Sequence, residues 1–190
     1  EKLRWFEDKP LFGKRILITR AREQASAFAQ RLEAAGAEVV EFPAIQIEPP
    51  ESWKPLDAAI ARLREYQWVI FTSANGVRFF WDRLQRVGRD VRDLFGIAVC
   101  AIGPATAAAL LDRGIRADLV PAEFKAEGLL EAIGDERVRG ARILLARAAE
   151  AREVLPEELM RRGAIVDVVP AYRTVRNTAN AEELRGLLRD

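Results

Sequence analysis

The stretch Trp68-Val69-Ile70-Phe71-Thr72-Ser73-Ala74-Asn75-Gly76-Val77 decides the fold. An apolar run gives way to small polar residues, after which Val77, Phe80, Trp81 and Leu84 recur at helical spacing. The run suits a strand buried on both faces, as in a parallel sheet. Thr72, Ser73 and Asn75 are residue types that cap helix N-termini. A strand that empties into a helix start presents unpaired backbone N–H groups and the positive end of the helix dipole. Turns of this kind hold anions at the strand ends of open α/β sheets. A well-capped turn with no ligand would read the same way, so this stretch sets the architecture and leaves the ligand open.

Upstream, residues 15–19 read as a strand and 20–23 as a turn. A helix follows with Ala25, Phe28, Ala29 and Leu32 on one face, ended by Gly36 where a left-handed residue is wanted. Val39, Val40 and Phe42 form the next strand, closed by Pro43, which completes a β-α-β unit. Residues 44–50 continue outward until two prolines stop them, as a connector between domains. A helix over about 56–66 then leads into the opening stretch. Downstream come a strand at 97–102, a turn at 103–106, and a helix with Ala107, Leu110 and Leu111 facing inward, ended by Gly114. A short strand at 117–120 and a short helix at 128–133 follow. Strands alternating with helices at this pitch indicate parallel sheets.

The beginning of the chain then returns. A gapless shift of 127 positions pairs Gly13 with Gly140, Arg15-Ile16-Leu17 with Arg142-Ile143-Leu144, and Arg20 with Arg147. It also pairs Glu23 with Glu150, Leu32 with Leu159, Gly36-Ala37 with Gly163-Ala164, Val39 with Val166, and Pro43-Ala44 with Pro170-Ala171. Duplication accounts for this order better than generic βα patterning. The expected architecture is α/β, with two flavodoxin-like (Rossmann-like) lobes whose parallel sheets are flanked by helices. Residues 1–12, with Trp5 and Phe6, form a linker or packed arm. Residues 13–46 and 171–190 form lobe 1, and 47–170 form lobe 2. The chain crosses between the lobes twice, making a two-stranded hinge beside a cleft, where ligand pockets favour domain interfaces. Repetition also places a helix at 181–189 and calls for a strand and a Ser/Thr-rich turn beyond Asp190. Lobe 1 is therefore expected to be incomplete in these residues.

Composition narrows the chemistry. The chain is 49% hydrophobic and 31% charged with net charge +1, which argues against a dedicated nucleic-acid binder. No apolar run approaches the roughly 20 residues of a membrane span, and the first residues do not read as a secretory signal. Cys100, the single cysteine, lies in the apolar run 97–102 and is expected in the core. Disulfides and thiolate metal sites are thus excluded, and the cytoplasm is the expected compartment. Histidine is absent, which removes a Ser-His triad, a His base and a His metal site. Any chemistry must use Tyr, Asp, Glu, Arg, Lys, hydroxyls and backbone dipoles. Of the 30 basic side chains 25 are Arg, which suits carboxylate or phosphate recognition but also follows from a GC-rich genome.

Five segments in order carry a family resemblance: Leu17-Ile18-Thr19-Arg20, Phe42-Pro43-Ala44-Ile45, Phe71-Thr72-Ser73-Ala74-Asn75-Gly76, Ile102-Gly103-Pro104-Ala105-Thr106-Ala107 and Pro170-Ala171-Tyr172-Arg173-Thr174. Together they resemble uroporphyrinogen-III synthase, from about Leu11 to Asp190. Residues 3–13 look like the junction of bacterial fusions in which a uroporphyrinogen-III methyltransferase precedes the synthase. The resemblance implies a monomeric enzyme without metal or cofactor. Its substrate would be hydroxymethylbilane, which loses water and closes with ring D inverted through an azafulvene and a spiro intermediate. Tyr172 stands where the family keeps a tyrosine near the hinge, suited to protonating the leaving hydroxyl, or else to packing. Thr106 is implied at a substrate carboxylate and would equally serve as a helix cap. Ser73, Ala74, Asn75 and Gly76 are expected to bind carboxylates through backbone N–H groups. Gly103 would admit a ligand close to the backbone, or simply adopt a positive φ. Arg20 and Arg147, at equivalent turns of the two repeats, would meet acidic side arms or remain solvated. In one departure, Ala148 follows Arg147 where the family usually has glycine.

Two other classes fit parts of the sequence. A two-lobed module could bind a small anion without chemistry, and a flavodoxin-like regulatory domain could share the topology. A receiver-like regulator would want clustered acids at its strand ends, whereas these ends carry Thr19-Arg20, Thr72-Ser73 and Ala146-Arg147. A flavin binder would purify yellow.

Overall fold

The computed structural model of the chain describes residues 8–19 and 22–177, and the side chains of all of these except 22–26. Arg20, the start of the arm at 1–7 and the expected helix at 181–189 lie outside the described residues. The described chain divides into two compact units, one formed by residues up to Ile47 together with those from Thr174, the other by Glu48–Arg173.

In the first unit, strand β1 (Arg15–Ile18), helix α1 (Arg22–Ala34) and strand β2 (Glu38–Glu41) form a parallel β-α-β unit. Ile18 and Ala29 are its buried centre, with Leu32 and Val39 packed against them. Phe28, expected on the inward face, is 45% exposed; among the described side chains of α1, Ala29 and Leu32 are the ones in that core. Gly36 takes φ +98°, and a Cβ there would lie 2.8 Å from Lys9 Cβ, so residues 8–12 close over the helix end. Leu11 N–H donates to the Ala35 carbonyl at 2.9 Å, which pins that arm.

Strand β3 (Ile45–Glu48) follows, then α2 (Lys54–Ala61), β4 (Trp68–Phe71), α3 (Ala74–Arg86), β5 (Ala98–Ala101), α4 (Pro104–Leu111), α5 (Ala126–Ile133), the short α6 (Asp135–Val138), β6 (Arg142–Ala148), α7 (Val154–Arg161) and β7 (Ile165–Arg176). The sheet order is β3-β7-β6-β4-β5, and β7, β6, β4 and β5 pair in parallel. Counted from β4, those four strands run second, first, third, fourth across the sheet, when read from β5, the order with which flavodoxin-like folds begin. Asn177 N–H donates to the Ala44 carbonyl at 2.9 Å, and Arg173 pairs with Glu48 at 2.8 Å. These contacts run in opposite chain order, so β3 lies antiparallel to the end of β7.

Why these segments fold so is plain from their burial. All four residues of β4 are buried, as are Ile143 to Ala146 of β6, because helices cover both faces. Val77, Phe80, Trp81 and Leu84 bury the inward stripe of α3, and the Phe80 ring meets Phe71 edge-on at 5.2 Å. Ile70, Cys100, Leu129, Ile143 and Leu145 belong to one core cluster on the sheet. Each such large apolar side chain contributes about 1.5–3 kcal/mol by leaving water. Cys100 is fully buried, and burial pushes its thiol up to about 12.

The duplication is visible in hydrogen-bond register. Arg15 faces Glu38 and Arg142 faces Ile165, an offset of 23 residues in both pairs (38 − 15 and 165 − 142). Ile16 to Ile18 and Ile143 to Leu145 keep that offset. The helix ends match as well: Gly36 and Gly163 take φ +98° and +92°, while Ala37 N–H and Ala164 N–H bond Leu32 O and Leu159 O, both at 3.0 Å.

Three expectations need correction. The helix read over 56–66 is α2 followed by a 3₁₀ turn, Leu63–Glu65. It starts earlier because Pro55 fits a first helical turn, and Arg62 leaves helical geometry (φ −107°, ψ 28°) so that Leu63 and Tyr66 both bury. The strand read at 117–120 is a single bridge from Cys100 to Leu119. There the Asp118 carboxylate takes the Val99 N–H at 2.7 Å, replacing a ladder bond. Leu111 ends α4 with 60% exposure rather than facing inward. Gly114 does close that helix end, with φ +79° and the Ile115 N–H returning to the Leu110 carbonyl at 3.0 Å, the pattern also seen at Gly36. Among the described residues no helix is long and apolar enough to cross a membrane. Among the same residues, no cluster of three or more acidic or Cys side chains could hold a metal.

Candidate active site

Register gathers Ser73, Gly103, Arg147 and Tyr172 at one edge of the second unit's sheet. Phe71 pairs with Ala101 on one side and Ala146 on the other, so the turns at Thr72-Ser73 and Ile102-Gly103 and the β6 residue Arg147, which pairs with Pro170 of β7, lie at the carboxyl ends of adjacent strands. The chain passes from β4 to β5 and later returns to β6 on β4's opposite side. That reversal makes the β4–β6 crevice a topological switch point, where open α/β sheets bind ligands. β6 and β7 carry a register shift between Arg147 and Ala148, after which Ala148 faces Tyr172. The shift brings Tyr172 to the same edge.

Ser73, of the three residues able to cap, is the N-cap of α3: its extended backbone (φ −163°) lets Oγ accept the Gly76 N–H at 3.0 Å. Its hydroxyl also lies 2.9 Å from the Tyr172 hydroxyl. Tyr172 is 7% exposed, and its ring stacks on Phe79 at 5.9 Å between centroids and 16° between planes. Phenol, serine and helix start therefore form one fixed group. Ala74 and Asn75 N–H groups have no partner among the described residues, whereas that of Gly76 is taken by Ser73. Gly76 is small for another reason: a Cβ would lie 3.1 Å from the Ala146 carbonyl, where α3 docks on β6.

Gly103, the N-cap of α4, has φ −172°, extended backbone open to any residue, so a positive φ is not why glycine stands there. A Cβ would instead meet the Phe124 ring at 3.2–3.4 Å. Thr106 is the third residue of α4 rather than its cap, and is 4% exposed. Arg147 is 5% exposed and committed within the protein, Nη1 donating to the Arg152 carbonyl at 2.6 Å and Nη2 pairing with Glu153. It borders a cavity of about 350 Å³ with Thr72, Ile102, Phe124, Lys125 and Leu145. Positive character at this edge comes from the N-termini of α3 and α4, since Arg147 is paired with Glu153 and Lys125 with Glu123 at 2.8 Å.

Two aromatic residues of this edge are absent from the sequence-based set. Phe79 follows the polar start of α3 off its inward stripe, and a half-buried aromatic beside an already complete apolar face was the available signal. Phe124 gives no such sign, since its contact with Gly103 spans a turn. The arrangement offers a phenol donor held in place, backbone N–H groups for carboxylates, and an apolar wall.

The family model described as HEM4, uroporphyrinogen-III synthase HemD, matches residues 26–190. The uroporphyrinogen-III synthase of Synechococcus elongatus is 43% identical over 168 residues, covering 88% of this chain and 63% of that protein. The porphyrin biosynthesis protein HemD of Ruminiclostridium josui is 34% identical over 185 residues, covering 97% of this chain and 37% of that protein. The chain thus spans less than two thirds of the length of these relatives. Among solved structures, a mutant uroporphyrinogen III synthase from Thermus thermophilus superposes with a TM-score of 0.67 at 19% identity, over 93% of this chain and 69% of that one. This likeness shows a shared fold. On the match across residues 26–190, the chain belongs to the uroporphyrinogen-III synthase (HEM4) family.

Proposed function

We propose that this protein converts hydroxymethylbilane to uroporphyrinogen III, with loss of water and inversion of ring D, in the biosynthesis of tetrapyrroles such as haem, sirohaem and cobalamin. The observation that carries the reading is the Tyr172 hydroxyl, held by Ser73 and stacked on Phe79 at the carboxyl edge of the sheet. The chemistry needs little more than an acid and a shaped site. An electron-rich pyrrole expels water from the hydroxymethyl carbon once a donor protonates the leaving oxygen. The resulting azafulvene cation is attacked by the terminal pyrrole carbon the fold presents to it, and the spiro product rearranges to the inverted ring. No histidine, metal or organic cofactor is called for.

Tyr172 is assigned the proton donor. Substrate carboxylates are assigned to the Ala74 and Asn75 N–H groups, with the turn at Gly103 and Thr106 beside them and Ser73 and Gly76 shaping the helix start. Arg147 is assigned mainly to shaping the pocket, since its donors serve Arg152 and Glu153; Arg20 is its counterpart in the other repeat. We further infer two flavodoxin-like lobes, 13–46 with 171–190 and 47–170, joined by a two-stranded hinge. The repeated β-α-β register supports that reading. A monomer in the cytoplasm, fused to an upstream uroporphyrinogen-III methyltransferase, completes the proposal. The junction-like residues 3–13 are what the fusion rests on.

Single-turnover consumption of hydroxymethylbilane by wild-type protein and by Tyr172→Phe tests the assignment. A fall of about 100-fold in the variant, within the range for loss of a general acid, is expected. An unchanged rate removes Tyr172 from the chemistry.

A further inference from the structure

We propose that the Ser73 side chain is a positioning residue which orients the Tyr172 proton toward the substrate, an inference that rests on the synthase reading above. Ser73 Oγ accepts one hydrogen bond, from the Gly76 N–H at 3.0 Å, and shares a second with Tyr172 Oη at 2.9 Å. Neither hydroxyl has another partner among the described residues. The two hydroxyls carry two protons, and their mutual bond uses one. One proton is therefore left over at the edge of the sheet.

Which hydroxyl carries it depends on the direction of the shared bond. If Tyr172 donates, the spare proton belongs to Ser73. If Ser73 donates, the spare proton belongs to the phenol. A substrate oxygen arriving at Tyr172 selects the second arrangement, because only then does it meet a donor. The bonds then run one way, from the Gly76 N–H to Ser73 Oγ, from the Ser73 hydroxyl to Tyr172 Oη, and from Tyr172 to the leaving oxygen. Each bond polarises the next, and the chain begins at the positive end of the thirteen-residue helix α3.

As the carbon–oxygen bond breaks, its electron pair leaves with the oxygen, which takes the Tyr172 proton and departs as water. The phenolate left behind accepts the Ser73 hydroxyl and faces the helix start. It regains its proton after the spiro intermediate reopens, when the free α-carbon of the inverted ring closes the macrocycle and loses its hydrogen, so one molecule of water is the only product besides the macrocycle. Phe79 stacked on the ring, together with the register shift at Ala148, keeps the phenol in line with this relay.

Three substitutions separate the relay from simple helix capping. Ser73→Ala removes both roles, Ser73→Thr keeps both, and Ser73→Asp keeps the cap but cannot donate to Tyr172. In the intact protein, the relay predicts that Ser73→Ala lowers kcat by about 10–100-fold with KM within about two-fold, and that adding it to Tyr172→Phe causes no further loss. Ser73→Thr is expected within about three-fold of wild type. Ser73→Asp is expected to keep the wild-type melting temperature with the kcat of Ser73→Ala. Wild-type kcat in Ser73→Ala, or recovery of kcat in Ser73→Asp, overturns the relay. A wild-type protein that makes no type III product overturns instead the synthase reading on which it rests.

Discussion

Gly128 lies in the first turn of α5 with ordinary helical backbone, so intrinsic propensity favours Ala there by up to about 1 kcal/mol. The structure predicts the opposite sign. A Cβ on Gly128 would sit 2.4 Å from the Glu123 carbonyl oxygen and 2.8 Å from Glu123 Cβ, where ordinary contact begins at 3.4 Å. That carbonyl cannot turn away cheaply, because it already accepts the Lys125 N–H at 2.9 Å. Inserting a methyl into such a contact costs about 1–3 kcal/mol in backbone displacement. A 2.4 Å approach to a hydrogen-bonded carbonyl implies the upper part of that range, so Gly128→Ala should destabilise the protein by about 1–2 kcal/mol even after the full propensity gain. For a chain of this size that lowers the melting temperature by roughly 2–8 °C, read by circular dichroism or calorimetry. The displaced turn carries Phe124 away from Gly103, so the cavity edge at Thr72 and Arg147 should change with it. A Gly128→Ala protein melting at or above the wild type would refute this account of why glycine stands in α5.

Tyr66 donates to Asp167 at 2.6 Å, and burial first, then that carboxylate, raises its phenol to about 12. In the unfolded chain it ionises near 10, so stability present below pH 10 should fall as pH rises from about 10 to 12, and Tyr66→Phe should flatten that limb in urea titrations. Arg83 holds Asp57 through two bonds of 2.6 Å and lies 5.0 Å from the Trp53 ring centre. Arg83→Lys loses the fork and the stacking, for about 0.5–1 kcal/mol by chemical denaturation at neutral pH. Hydrogen bonding to Arg83 holds the Asp57 carboxyl below its ordinary range, so this contribution is present above about pH 4 and disappears as pH falls further. Cys100 should resist maleimide in the native protein and label promptly in urea; prompt native labelling would mean that the core around β5 opens.

Local features were legible because their physics is local. The run Trp68 to Phe71 followed by Ser73 reads as a buried strand and a capped helix from polarity and spacing alone, and the 127-residue repeat anticipates the shared 23-residue register offset. Periodicity names a helix face but not how far its neighbours cover it, which is why Phe28 and Leu111 turned out exposed. Nor does it show that the Asp118 carboxylate substitutes for a strand bond, or that Phe124 rather than a positive φ keeps residue 103 a glycine. In the site, Ser73 and Tyr172 are 99 positions apart, and no spacing rule joins them. A family pattern placed both at the site, yet their mutual bond, and the commitment of Arg147 to Glu153, emerge only from packing.

The most direct test of the whole account is the isomer composition of the product. Hydroxymethylbilane generated in situ is given to the intact protein, and the resulting uroporphyrinogens are oxidised and separated as type I and type III porphyrins. The account predicts type III well above the level of a protein-free control, which closes spontaneously to type I. Type I alone from a folded protein would contradict it, and would leave this edge of the sheet as a binding site for an anion or a tetrapyrrole.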